Sequence, residues 1–181
     1  MRKQTSNEVK NKILFRFLYG RGFICATTEM GVYDGFTVKA DVIALNKNYK
    51  FYEVEIKTNL ADLRGELETI DYIINNKPIN KILAKLRKHT TYLKEPESET
   101  LFIPHRFYFS APYENKEEAL QILSKTPYGL MDLSGNVYKV AKDLHKKPIR
   151  KDFVETMLRR LSRINYTLMN KYDKQKNTRT I

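Results

Sequence analysis

The chain has 181 residues, 41% hydrophobic and 30% charged, a balance ordinary for one globular domain and too apolar for global disorder. Its 33 Lys and Arg against 21 Asp and Glu give a net charge of +12, which points to nucleic acid, since no basic amphipathic helix with bulky interfacial aromatics favours an anionic membrane instead. A single cysteine, Cys25, excludes an internal disulfide and a cysteine zinc cluster, and no window approaches about 18 apolar residues, so a soluble, cytoplasmic protein without a signal segment is expected.

Apolar positions at Val9, Ile13, Leu14, Phe17 and Leu18 predict a first helix from Ser6 to Tyr19, stopped by Gly20-Arg21-Gly22. Phe23–Thr27 reads as a short strand, followed by a turn near Tyr33–Gly35. Two β-prone runs, Val38–Leu45 and Phe51–Lys57, flank the turn residues Asn46-Lys47-Asn48-Tyr49 and predict a hairpin. Asn59–Tyr92 reads as helical, divided near Asn75-Asn76-Lys77-Pro78. Arg106–Ser110 is a strand, Glu114–Ser124 a helix, and Gly129–Leu133 and Val137–Val140 are strands about the turn Ser134-Gly135-Asn136. Lys151–Tyr172 predicts a long helix with Phe153, Met157, Leu161, Ile164 and Leu168 inward, and residues 173–181 read as a basic, disordered tail. The expected organisation is a single α/β domain over 1–172.

The hairpin concentrates the chemistry. Side chains alternate along a strand, so Glu53, Glu55 and Lys57 share one face while Tyr52, Val54 and Ile56 share the other, the natural core face. Asp41 and Glu55 are equidistant from Asn48, so a hairpin centred there sets them opposite one another or one residue off, with Cβ atoms roughly 5 Å apart. Two carboxylates that close repel unless a cation joins them, and Mg²⁺, which favours carboxylate oxygens and substrate phosphate, is the cation to expect. Lys57, on the same face, is placed to position a water or steady charge on a phosphate. A half-exposed strand with solvated charges is the plainer alternative for the pattern taken alone.

Other residues carry two readings each. Glu8 stands three residues after Thr5, a capping-box spacing. Glu53 shares the face of Glu55, where a solvated neighbour is the plainer reading. Asp62 lies one helical turn past the strand and either caps the helix or orients Lys57. Lys88 and Tyr92 share one helix face, so Lys88 or the adjacent His89 is a candidate phosphate contact. Lys81, Lys85 and Lys88 recur at helical spacing, as do Arg159 and Arg163, and either set could line a DNA backbone or simply form a solvated face. His105 and His145 lack a partner pattern, and Cys25 reads as a small core residue.

The blocks Ala40–Leu45, Glu53–Leu63, Lys88–Leu93, His105–Pro112 and Gly129–Asp132, spread in order over most of the chain, resemble the PD-(D/E)XK nuclease superfamily, and within it the MmcB-like group of DNA-repair nucleases. The resemblance implies a restriction-endonuclease-like α/β core, a mixed central sheet flanked by helices. It implies Asp41 and Glu55 as metal ligands with Glu8 as a further acidic member, Lys57 as the catalytic lysine, Mg²⁺ as cofactor with Mn²⁺ able to substitute, and DNA as substrate. A homodimer follows by analogy alone. Lys39-Ala40 stands where the family motif has a proline before the aspartate, and residues 67–86 look like a helical insertion. The expected function is a metal-dependent DNA endonuclease acting on repair or recombination intermediates; the alternatives are an RNA nuclease and a non-catalytic DNA-binding module on a nuclease fold.

Overall fold

A computed structural model of the protein describes residues 5–20, 22–31, 39–75, 83–95, 103–112, 114 and 116–178, with the backbone alone at 31, 60, 83–87 and 171–178. The chain forms two compact units, Met1–Pro148 and Ile149–Ile181, where the sequence suggested one domain over 1–172.

The first unit is built on a six-stranded sheet. Helix α1 (Ser6–Gly20) leads into β1 (Phe23–Gly31), β2 (Lys39–Asn46) and β3 (Phe51–Ile56), with β2 antiparallel to both of its neighbours. Helices α2 (Leu60–Asn75) and α3 (Leu83–Lys94) then carry the chain to β4 (Arg106–Ser110), parallel to β3. Helix α4 (Lys116–Leu123) returns it to β5 (Gly129–Met131), parallel to β4, and β6 (Val137–Lys139) closes the edge antiparallel. Strand order follows chain order, β1-β2-β3-β4-β5-β6. Both parallel crossovers step the same way along the sheet, and crossovers of one hand that do so put their helices on one face. An Arg64–Glu118 ion pair at 3.0 Å between α2 and α4 fits that placement.

The β2–β3 turn explains the register. Asn46 Oδ1 accepts hydrogen bonds from the backbone N–H groups of Asn48 (3.0 Å) and Lys50 (2.8 Å), and Tyr49 takes a left-handed φ of 56° to close the loop. That turn pairs Val42 with Val54 and Ala44 with Tyr52. One face of the sheet is then apolar: Val42, Ala44, Val54, Ile56, Tyr108 and Met131 pack with Val9, Ile13 and Phe17 of α1. Alternation turns Glu53 and Glu55 to the other face, beside Phe107 and Phe109 of β4.

Two boundaries depart from the sequence reading. β1 continues to Gly31, well past Thr27, because its pairing with β2 runs on to Gly31–Lys39. The turn expected near Tyr33–Gly35 and the α2–α3 connection with Lys81 lie outside the described residues. In the second unit α5 (Lys151–Thr178) runs on past Tyr172, where the sequence reading ended its helix, with no Pro or Gly to interrupt it. On α5, Phe153 and Met157 are buried, Leu161 and Ile164 are half-buried, and Leu168 is exposed, so the burial of this stripe fades along the helix. No helix among the described residues is long and apolar enough to cross a membrane.

Candidate active site

The observed register, continued one pair outward from Val42–Val54, sets Asp41 opposite Glu55. The expectation of facing carboxylates is met, and both remain open to solvent, with side chains 20% and 15% exposed. Asp41 Oδ2 accepts the backbone N–H of Ile56 at 2.8 Å, and Oδ1 lies 2.9 Å from Lys10 Nζ. Glu55 Oε1 accepts from Lys57 Nζ at 2.8 Å, while Oε2 accepts from Lys88 Nζ at 3.0 Å. Three lysines from α1, the end of β3 and α3 therefore converge on two carboxylates of neighbouring strands.

Behind this pair lies a buried layer. Lys88 is only 2% exposed and bridges Glu55 to Glu53, whose Oε1 is 2.5 Å away. Tyr92, one helical turn after Lys88, donates its hydroxyl to Glu53 Oε2 at 2.8 Å. The Lys88 ammonium also sits 4.9 Å from the centroid of the Phe107 ring. Lys57 has a second partner in Glu66 of α2, at 3.2 Å, and Glu66 Oε1 is 2.9 Å from His89 Nε2. His89 Nδ1 in turn meets the Tyr128 hydroxyl at 3.0 Å. Isolated charges in such a layer would be costly, and mutual pairing makes them tolerable.

The two facing acids are driven apart electrostatically. Burial, with the Glu55 charge beside it, raises the Asp41 carboxyl, and the Ile56 N–H and Lys10 only partly offset that. Burial would raise Glu55 too, but Lys88 and Lys57 overcome it and hold that carboxyl down at about 2. Lys57 is held above the usual lysine range: burial lowers it, and Glu55 and Glu66 together more than compensate. Burial pushes Glu53 up against the pull of Lys88, and pushes His89 down despite Glu66.

Other predicted site residues sit elsewhere. Glu8 forms the capping box its spacing suggested: Oε2 accepts the Thr5 N–H at 2.8 Å and the Glu8 N–H reaches Thr5 Oγ1 at 3.3 Å. It is exposed, and the α1 residue that turns to Asp41 is Lys10, two positions on, which also pairs with Glu29 of β1. Asp62 is likewise a cap, joined to Asn59 at both its N–H (2.9 Å) and its carboxylate (2.6 Å). The contact to Lys57 that Asp62 was a candidate for belongs to Glu66, one turn further along α2. Lys88 and His89 are buried, which removes them as phosphate contacts and makes them internal partners of the carboxylates. Glu53 is fully buried, not a solvated neighbour. The Lys85 side chain lies outside the described residues, and Arg159 and Arg163 are exposed one turn apart on α5 in the second unit. His105 is structural: Nδ1 accepts the Phe51 N–H at 3.1 Å and Nε2 meets the Lys147 carbonyl at 2.9 Å.

Sequence reading missed Lys10, Glu29 and Glu66. Glu66 left one signal, a carboxylate on the stripe Leu63, Leu67, Ile70 and Ile73 that α2 buries. Among the described residues no group of three or more His, Cys, Asp or Glu side chains is placed to hold a metal ion. The donors that do suit one are Asp41 and Glu55, two adjacent and partly exposed carboxylates of the hard-oxygen type that Mg²⁺ takes alongside water and phosphate.

No protein-family model matches the chain, and no curated protein matches it. Among solved structures it is similar to a protein of unknown function from Silicibacter pomeroyi, with a TM-score of 0.60 and 16% identity, covering 93% of this chain and 94% of that one. That likeness supports the fold, an α/β architecture with a mixed six-stranded sheet flanked by helices and compatible with a restriction-endonuclease-like core.

Proposed function

We propose that the chain is a metal-dependent DNA endonuclease of the PD-(D/E)XK type. The observation that carries this reading is Asp41 facing Glu55 across the β2–β3 hairpin, with the Lys57 ammonium 2.8 Å from Glu55 at the end of the same strand. Asp41 and Glu55 would hold the ion, Mg²⁺ or Mn²⁺, which when bound would polarise the scissile phosphate. Lys57, kept protonated by two carboxylates, acts as a donor to a phosphate oxygen or to the attacking water rather than as a proton acceptor. The net charge of +12 lowers the cost of bringing a polyanion to this acidic centre.

A second reading, a non-catalytic DNA-binding module, is favoured by a different observation. All four oxygens of Asp41 and Glu55 already have a protein donor, in Lys10, the Ile56 N–H, Lys57 and Lys88, so the pair is satisfied without a metal.

Incubation with supercoiled, branched and single-stranded DNA, and with RNA, in Mg²⁺, Mn²⁺ or chelator separates the readings. The expected result is metal-dependent cleavage of DNA, lost by about 100-fold or more in Lys57→Ala while DNA affinity stays near wild type. Binding without cleavage on every substrate supports the module, and unchanged turnover of Lys57→Ala in excess Mg²⁺ overturns the role given to the lysine.

A further inference from the structure

Glu66 is 1% exposed and belongs to neither of the two facing strands, yet it is the second partner of Lys57. Helix α2 brings it there. The Asn59–Asp62 cap fixes where the helix begins, and Leu63, Leu67, Ile70 and Ile73 bury one stripe, which leaves Glu66 on the inward side one turn past the cap. A carboxylate in that position is stable only when its oxygens are directed at donors. Oε2 lies 3.2 Å from Lys57 Nζ and Oε1 lies 2.9 Å from His89 Nε2.

The chain of contacts continues in one sense only. An ionised carboxylate accepts and never donates, so the His89 proton must be on Nε2. Burial keeps the imidazole neutral, so Nδ1 has a lone pair, and the Tyr128 hydroxyl 3.0 Å away is the donor that meets it. The His89 ring is further wedged by Phe107, with centroids 5.6 Å apart, and both His89 and Tyr128 are fully buried. Glu66 thus selects the tautomer of His89, the Tyr128 hydroxyl fills the lone pair left on Nδ1, and the ring so held fixes the direction of Glu66.

We propose that Glu66 is the positioning residue for Lys57, with His89 and Tyr128 holding it in that role. This rests on the nuclease reading for its consequence, though not for its geometry. Lys57 has two anchors, Glu55 and Glu66, and only Glu66 is free of any part in holding a cation. With an ion held by Glu55, Glu66 would be the counter-charge that keeps the ammonium aimed.

The test uses the full chain with Glu66→Gln and Tyr128→Phe. Glutamine keeps an acceptor for His89 but turns an N–H toward the Lys57 ammonium, donor against donor. In Glu66→Gln, kcat for DNA cleavage should fall about 10- to 100-fold while DNA affinity measured in chelator is unchanged. A separate readout comes from ¹⁵N NMR of the side chains. Wild type should show His89 protonated at Nε2 alone and a slowly exchanging Lys57 ammonium. Glu66→Gln should lose the slow exchange, and Tyr128→Phe should keep the His89 proton on Nε2 while the Nδ1 resonance shifts with the loss of its donor. A wild-type His89 carrying its proton on Nδ1, or a Glu66→Gln protein with unchanged Lys57 exchange, overturns the proposal. Unchanged kcat in Glu66→Gln, where wild type cleaves, overturns it as well. If no nucleic acid is cleaved by wild type, the nuclease reading fails and the NMR arm alone decides the positioning.

Discussion

The two faces of β3 are made of alternate residues of one short segment, yet they do opposite work. Val54 and Ile56 join the apolar layer under α1, where every neighbour is interchangeable in kind and stability comes from area removed from water. Glu53 and Glu55, each one residue away, join a layer in which each charge depends on a particular partner from α2 or α3. The apolar face can be degraded gradually. The ionic face fails when any one member is removed, because a buried partner is then left uncompensated.

Lys88→Met should therefore produce the largest loss on the ionic side, about 3–5 kcal/mol in denaturant unfolding at neutral pH, because Glu53 would remain buried without its ammonium. That loss should shrink in acid, where Glu53 can take up a proton; an equal loss at every pH would break the contrast between the faces. Ile13→Ala on the apolar side should cost about 2–5 kcal/mol with no such pH dependence and with cleavage by the remaining folded protein unchanged. A further effect is in the wild type itself. Glu55 is depressed to about 2 when folded and near 4.5 when unfolded, so its contribution is complete above about 4.5 and lost as pH falls toward 2. His89 is also depressed, so the unfolded chain takes up its proton first, and stability should begin to fall below about 6.5. Thermal melts across this range check both, and a His89→Gln variant should lose only the higher-pH part.

The apolar face was the more legible of the two in sequence. Period-two alternation and the Asn46–Tyr49 turn predicted the hairpin and the Asp41–Glu55 pairing, because both are local properties of a short stretch. The fate of Glu53 was not local. Whether a strand carboxylate meets water or a lysine depends on Lys88 and Tyr92, which arrive from α3 after a crossover, and nothing around Glu53 announces them. The same distance effect misplaced His89 and Lys88 at the surface. Asp62 attracted the role of Glu66 because both lie on one side of α2 a turn apart, and only the packed structure shows that one faces the cap and the other the lysine. Where α1 and the sheet meet, the capping box read at Thr5 and Glu8 was correct, but Lys10 was hidden as one more lysine in a basic chain.

Lys10, Lys57 and Lys88 are buried, in a protein whose surface is crowded with amines. An acylating reagent would consume the solvent-facing lysines first and leave these three for last, since each is shielded by packing and engaged with a carboxylate. Their labelling order gives a chemical clock for the ionic layer: whichever amine becomes reactive on adding a divalent ion or DNA marks the contact that has opened.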